Sequence, residues 1–319
     1  MTESLIECVP NFSEGRDSAR IDTICSAIAA TPGVLVLNRT SDWDHHRSVI
    51  TFAGRREPVV EAAVRAAREA ARLIDLRQHR GVHPRVGALD VLPFVPLGSA
   101  TLEDCATLAH AAGERISAEL GIPVYFYGAA ARVPERAALE NVRRGQFEVL
   151  REEALQNPER APDLGGPALH PSAGAVIVGA RKILIAFNIN LRTTDLSIAR
   201  RIARSIRASS GGLPAVKALG VPLPSRSLVQ VSMNLTDFTM TPLHVVYEAV
   251  EQLAAAERVE IAESELIGLL PRAALDAAFS HYLKLPGFGA SCVIEDQIRP
   301  LQFATVTPGG IFLPGERIC

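Results

Sequence analysis

Four of the eight histidines fall in two short segments dense in titratable groups. One is Asp42-Trp43-Asp44-His45-His46-Arg47. The other is Arg77-Gln78-His79-Arg80-Gly81-Val82-His83-Pro84-Arg85. Histidine titrates near neutral pH, so both segments suit general acid–base chemistry. His83 leads, because Gly81 and Pro84 fix the backbone beside it. For each histidine alone, a solvated polar loop is the plain alternative. Metal binding is the rival chemistry. His79 and His83 are spaced i, i+4, and Asp42, Asp44 and His45 offer further ligands. Gly81 and Pro84 disfavour the helix that such a pair needs, so no metal is expected. Cys8 lies in a short apolar run, where core packing suits it better than nucleophilic work. Asn11, Ser13 and Glu14 form a polar loop suited to capping a helix or touching a ligand. Arg200, Arg201, Arg204 and Arg207 share one helical stretch, a solvated face or a weak pointer to a polyanion. No Walker sequence and no Gly-x-Gly-x-x-Gly follows a strand, so those routes to nucleotide binding have no support.

These loops need a scaffold, and the residue pattern supplies one. Apolar β-type runs at 4–10, 34–37, 48–53 and 91–95 interleave with helical spacing at 19–30 and 58–74. The order is β-α-β-β-α-β, a split ferredoxin-like pattern. A further helix is expected from Thr101, with Glu103 and Asp104 in its first turn, to Leu120, where Gly121 stops it. A strand over 122–127 and helical segments near 135–143 and 147–155 follow. Residues 157–174 carry four prolines and three glycines, and so long a loop is a boundary or an active-site loop. The last third repeats the pattern, with strands at 183–189, 215–219, 228–235 and within 259–270. Its helices fall at 195–207 and 242–256. The tail after Gly287 is poorly patterned.

The whole chain sets bounds. It has 319 residues, 48 % apolar, with 33 basic and 35 acidic side chains and a net charge of −2. That charge leaves no nucleic-acid footprint, and no apolar run approaches the ~18 residues of a membrane span. High apolar content disfavours disorder. Five widely spaced cysteines imply a reduced, intracellular protein. The start, Met-Thr-Glu-Ser, has no signal-peptide character, and a cytoplasmic location is expected.

Three stretches carry a family resemblance: ECVPNFSEG at 7–15, GVHPRVGALDV at 81–91 and ARKILIAFNINL at 180–191. With residues 47–52, 124–128 and 229–235 they resemble, in order over about 5–270, the formiminotransferase family. The resemblance implies an α/β (α+β) fold of two ferredoxin-like subdomains, 1–181 and 182–319, with a ligand tunnel between them. It implies transfer of the formimino group from N-formimino-L-glutamate to tetrahydrofolate, giving 5-formiminotetrahydrofolate and glutamate in histidine degradation. Tetrahydrofolate is then a co-substrate. His83, in the HPR motif, is the implied catalytic residue. After Ala161-Pro162-Asp163, the implied folate loop comprises Leu164, Gly165, Gly166, Pro167, Ala168, Leu169, His170, Pro171, Ser172 and Ala173. Arg47 and Arg85 are candidates for the substrate carboxylates, since guanidinium binds carboxylate bidentately. Asp44, Asp42, His45 and Asn11 are further substrate-binding or orienting candidates. Compared with mammalian bifunctional members, the chain differs at Asn38, Thr40, His46 and Ala173. Transfer from another formimino-amino acid such as formiminoglycine, or folate binding without catalysis, are the alternatives. Exposed sheet edges would allow a homodimer.

Overall fold

The computed structural model describes residues 4–81, 83–274, 292 and 294–298. They form two compact units, one running through Arg181 and the other starting at Lys182. The fold is mixed α and β, with two sheets.

In the first unit the strands are β1 (Ser4–Cys8), β2 (Asn11–Phe12), β3 (Val34–Asp42), β4 (Arg47–Gly54), β5 (Leu89–Gly98), β6 (Val124–Gly128) and β7 (Val176–Ala180). Helix α1 (Ser18–Ala29) joins β2 to β3, α2 (Arg56–Leu73) joins β4 to β5, and α3 (Leu102–Leu120) joins β5 to β6. Two shorter helices follow, α4 (Leu139–Arg143) and α5 (Gln146–Gln156). Across the sheet the order is β3, β4, the β1/β2 pair, β5, β7, β6. The pairings from β3 to β5 are antiparallel, whereas β5–β7 and β6–β7 are parallel.

Local chemistry explains the helix ends. Asp17 caps α1 by accepting from the backbone of Ala19 and Arg20. Thr101 and Asp104 form a reciprocal capping box on α3, and Gly121 ends it in the left-handed region. Ile6, Cys8, Phe52 and Phe94 on one sheet face pack with Ile24, Val59, Ala63 and Cys105 of the helices. On the opposite face, Val91, Tyr125, Tyr127 and Ile177 are covered by Val142 and Leu150 of α4 and α5.

The second unit runs β8 (Ile185–Leu191), α6 (Leu196–Ile206), β9 (Val216–Leu223), β10 (Leu228–Leu235), α7 (Leu243–Ala256) and β11 (Ile261–Ile267). Its sheet is antiparallel in the order β11-β8-β10-β9. Alternate residues Phe187, Ile189, Val231 and Met233 pack with Ile202 and Val246 of the helices.

Two strands depart from the sequence expectations. β2 is only two residues long, too short for a period to register. β7, reading Val-Ile-Val-Gly-Ala, is buried at every position, so it shows no alternation. The stretch expected as a helix over 135–143 is a 3-10 turn, Pro134–Arg136, followed by α4. Cys8, Cys25 and Cys105 are buried free thiols, but Cys292 is disulfide-bonded, against the expectation of a fully reduced set. No helix among the described residues is long and apolar enough to cross a membrane. The tail after Gly287 lies largely outside the described residues.

Candidate active site

The two histidine segments, far apart in sequence, touch in the first unit. The first is the turn between β3 and β4. Asp42 shapes it, with Oδ1 accepting from the His45 backbone N–H at 2.6 Å and lying 2.9 Å from His45 Nδ1. The second runs from the end of α2 into β5. Gly81 permits the approach, because a Cβ there would lie 2.5 Å from the His45 carbonyl oxygen.

His46 and His79 stack, with ring centroids 4.2 Å apart and planes 8° from parallel. His46 Nε2 lies 3.1 Å from Glu14 Oε1, and its Nδ1 lies 3.1 Å from the Arg80 carbonyl oxygen. Burial acts to raise the Glu14 carboxyl, but the backbone N–H groups of Arg16 and Asp17 and the His46 ring outweigh it and hold it below the usual range. His79 is different. Its Nε2 donates to the His46 carbonyl at 2.9 Å, and its Nδ1 accepts from Arg85 Nε at 3.0 Å. That pattern assigns a neutral ring, and burial lowers its pKa accordingly.

His83 lines the same pocket as this stack. Arg47 Nη1 donates to His83 Nε2 at 2.8 Å, and the His45 ring meets His83 edge-on at 6.1 Å. Burial, and then the charges of Arg47 and Arg143, push the His83 pKa well below 6.5. His83 is therefore an unprotonated base at neutral pH. Burial and Arg143 also push Arg47 down to about 10, which leaves it cationic at pH 7. Behind Arg47, buried Asp90 accepts from the Val86 backbone N–H at 2.7 Å and pairs with Arg143. The Arg143 Nε is buried without a partner among the described residues. Ser13, His45, His46, Arg47, His79, His83, Arg85 and Asp90 line a pocket of about 170 Å³.

The structure thus gathers His83, His45, Arg47 and Arg85 from the sequence candidates. Arg85 is committed to other contacts: it is buried and grips the Glu148 carboxylate with bonds of 2.8 and 2.7 Å. Asn11 donates to the Val9 carbonyl at 2.9 Å and lies outside the pocket lining, as does Asp44. The segment Leu164–Ala173 comes alongside. Leu164 bridges to Val124, His170 Nδ1 accepts from the Ala173 N–H at 3.0 Å, and residues 165–168 are exposed. Its end is tied to both flanks of the histidine loop, with the Ser172 carbonyl accepting from Leu76 N and the Ala173 carbonyl from Ala88 N, each at 2.9 Å. On α6, Arg201 pairs with Glu257 rather than facing a ligand.

Sequence reasoning passed over Asp90, Arg143 and Glu148. Asp90 had a signal, as the one acid inside the apolar run of β5. Arg143 and Glu148 had none, lying more than fifty residues from their partners. Among the described residues no group of three or more His, Cys, Asp or Glu is placed to hold a metal ion. His79 has both ring nitrogens engaged, so it offers no lone pair to one.

Comparison with known proteins agrees with the motifs. Residues 5–181 match the model of the formiminotransferase domain, N-terminal subdomain, and residues 186–299 match that of the formiminotransferase domain. A glutamate formimidoyltransferase of Thermoplasma acidophilum is 45 % identical over 297 residues, covering 93 % of this chain and 98 % of the relative. One from Streptococcus pyogenes serotype M1 is 43 % identical over 284 residues, covering 89 % and 95 %. The formimidoyltransferase-cyclodeaminase of Gallus gallus is 46 % identical over 88 % of this chain, which spans only 52 % of that longer protein. On these matches, spread over both units, the chain belongs to the formiminotransferase domain family.

Proposed function

We propose that this chain is a glutamate formimidoyltransferase, moving the formimino group from N-formimino-L-glutamate to N5 of tetrahydrofolate and releasing L-glutamate. Relatives of that name match nearly end to end. The observation that carries the mechanism is His83, an unprotonated imidazole held against the Arg47 guanidinium in a pocket lined by His45, His46, His79 and Asp90.

N5 attacks the formimino carbon and forms a tetrahedral intermediate. His83 Nε2 takes the N5 proton. The bond from that carbon to the glutamate nitrogen then breaks, and the imidazolium returns the proton to the leaving amine. Burial and the Arg47 charge make that imidazolium a strong acid, which favours the return. Arg47 caps Nε2 before substrate arrives. A substrate carboxylate draws the guanidinium to itself, because a charged acceptor outcompetes a neutral ring nitrogen. Binding therefore frees the base. Arg85, locked to Glu148 and His79, braces the histidine stack instead of holding substrate. Segment Leu164–Ala173 is the folate loop in this reading, supported by its ties to the histidine loop.

Both units repeat β-α-β-β-α-β, with strand order fourth, first, third, second, which supports a ferredoxin-like reading of subdomains 1–181 and 182–319. A cytoplasmic location rests on the three buried free thiols Cys8, Cys25 and Cys105, with the Cys292 disulfide the one feature against it. A homodimer through an open sheet edge is the proposed assembly, checked by light scattering.

The test is direct. The purified chain, given N-formimino-L-glutamate and tetrahydrofolate, forms 5-formiminotetrahydrofolate and glutamate. His83→Ala lowers kcat by ~10²–10⁴-fold while tetrahydrofolate still binds. Turnover that survives His83→Ala refutes the mechanism, and folate binding without turnover by the unaltered chain refutes the function.

A further inference from the structure

Arg85 braces the histidine stack, and the segment that holds Arg85 has no role in the chemistry above. Residues 143–148, where α4 passes into α5, reach the His83 loop at three points. Arg143 pairs with buried Asp90, whose other oxygen accepts from the Val86 backbone N–H at 2.7 Å. The Phe147 backbone N–H donates to the Arg85 carbonyl at 2.9 Å. The Glu148 carboxylate takes two arms of the Arg85 guanidinium, at 2.8 and 2.7 Å. Gln146 Oε1 accepts a longer bond from Arg85 Nη1, at 3.4 Å. Gln146 itself holds φ at +56°, in the left-handed region that a residue with a Cβ rarely adopts. Such strain persists where surrounding contacts impose it. Here those contacts are the ones that Gln146, Phe147 and Glu148 make with Arg85.

Arg85 passes this hold on to both groups at the reacting centre. It lies two positions after His83, with the rigid ring of Pro84 between them. In the other direction, Arg85 Nε donates to His79 Nδ1 at 3.0 Å, and His79 Nε2 donates to the His46 carbonyl at 2.9 Å. That carbonyl belongs to the planar peptide group that leads into Arg47. Arg47 Nη1 then meets His83 Nε2 at 2.8 Å and closes the circuit. One arm from Arg85 thus ends at the base and the other at the guanidinium facing it. Glu148 fixes the point where the two arms meet. A group outside the pocket can govern rate in this way, because a misplacement of ~1 Å costs up to about 10²-fold.

We propose that the Gln146–Glu148 turn is a positioning element for the reaction, with Glu148 acting through Arg85 to hold His83 against Arg47. The reaction itself rests on the function proposed above, whereas the link to His83 rests on the hydrogen-bond circuit alone. Glu148 does not line the pocket, so its part is to position and not to bind substrate. Its side chain is 56 % exposed, and an ion pair so open to water adds little to stability.

Glu148→Gln keeps the shape but cannot take the guanidinium with two charged oxygens. Three measurements on the full chain test it: steady-state kinetics, urea melts and proton NMR titration of the His83 imidazole. The resonance is assigned by its loss in His83→Gln. Glu152→Gln, one turn further along α5 and beside Arg151 at 3.9 Å, controls for loss of a charge from that helix. Burial first, then Arg47 on β4, Arg143 on α4, His45 in the β3–β4 turn and His79 in its own loop, keep His83 titrating below 6.5. Asp90 on β5 is the acid lining the same pocket. Loss of the Glu148 charge alone leaves Arg85 unneutralised and moves that midpoint further down. Release of the brace does the opposite, since it relaxes burial and separates His83 from Arg47. Expected for Glu148→Gln are a kcat lower by about tenfold or more and a KM for each substrate within about twofold. The urea midpoint should stay in place while the His83 midpoint moves upward, and Glu152→Gln should match the unaltered chain. A smaller loss of kcat, an equal rise in KM, or a His83 midpoint that stays or falls overturns the proposal. A urea midpoint that drops alongside kcat overturns it as well. If the unaltered chain forms no product, the proposed function fails, and the His83 midpoint alone decides the positioning role.

Discussion

His83 is a weak base whose conjugate acid is strong, and this shapes the pH dependence. The free base is the active form. Because its pKa lies well below 6.5, kcat/KM is expected to stay flat through pH 7–8 and to fall only on acidification beneath 6.5. Arg47 contributes to that depression after burial, so Arg47→Gln should move the acid limb upward. The same change should raise KM for N-formimino-L-glutamate, by roughly 10-fold or more for a lost charge-assisted contact. A pH profile of kcat/KM for both proteins checks this. An acid limb that does not move would show that Arg47 does not tune His83.

Segments and strands matter because they hold these groups in register. Gly174 ends the proposed folate loop at φ +70°, and a Cβ there would sit 2.1 Å from the Val86 carbonyl oxygen, beside the histidine loop. Gly174→Ala should lower stability by more than about 1 kcal/mol and weaken tetrahydrofolate binding together, as read by denaturant melts and equilibrium binding. Strand β1 makes a second prediction. It buries Glu7 at 4 % exposure, and burial raises the carboxyl to about 7 against the opposing charge of Arg181. The raised folded value means that the fold favours the protonated form. That stability is complete below the unfolded value near 4.5 and is lost as pH rises through about 7. Unfolding free energy should therefore decline across that window by up to about 3 kcal/mol from this one group. Glu7→Gln should remove that decline, and an unchanged slope in urea melts from pH 4.5 to 7.5 would disprove it.

For the whole molecule, a net charge of −2 gives no attractive far field for anionic folate or formiminoglutamate. Attraction comes from a local cation, Arg47, which lines a buried pocket where salt screens poorly. Raising salt from ~0.05 to ~0.3 M is then expected to change kcat/KM by less than about threefold. A steep, log-linear fall with salt would point to surface steering instead. The negative total nevertheless agrees with a small-molecule enzyme and leaves nucleic acid aside.

The amino-acid sequence by itself determined the repeated β-α-β-β-α-β order, because side-chain period and capping residues such as Thr101, Asp104 and Gly121 act within a few positions. It also singled out His83, since Gly81 and Pro84 mark that loop locally. β2 and β7 escaped because one is too short and the other is buried on both faces. Only the tertiary structure decided what each charge does. Arg47 and Arg85 look alike in sequence, yet one meets His83 and the other is locked to Glu148, sixty-three residues away. The buried Asp90–Arg143 pair and the Asn190–Gln230–Glu265 network likewise join residues from separate strands and helices. Hydrogen bonding and burial depend on which distant chain segments pack together, and no local pattern encodes that.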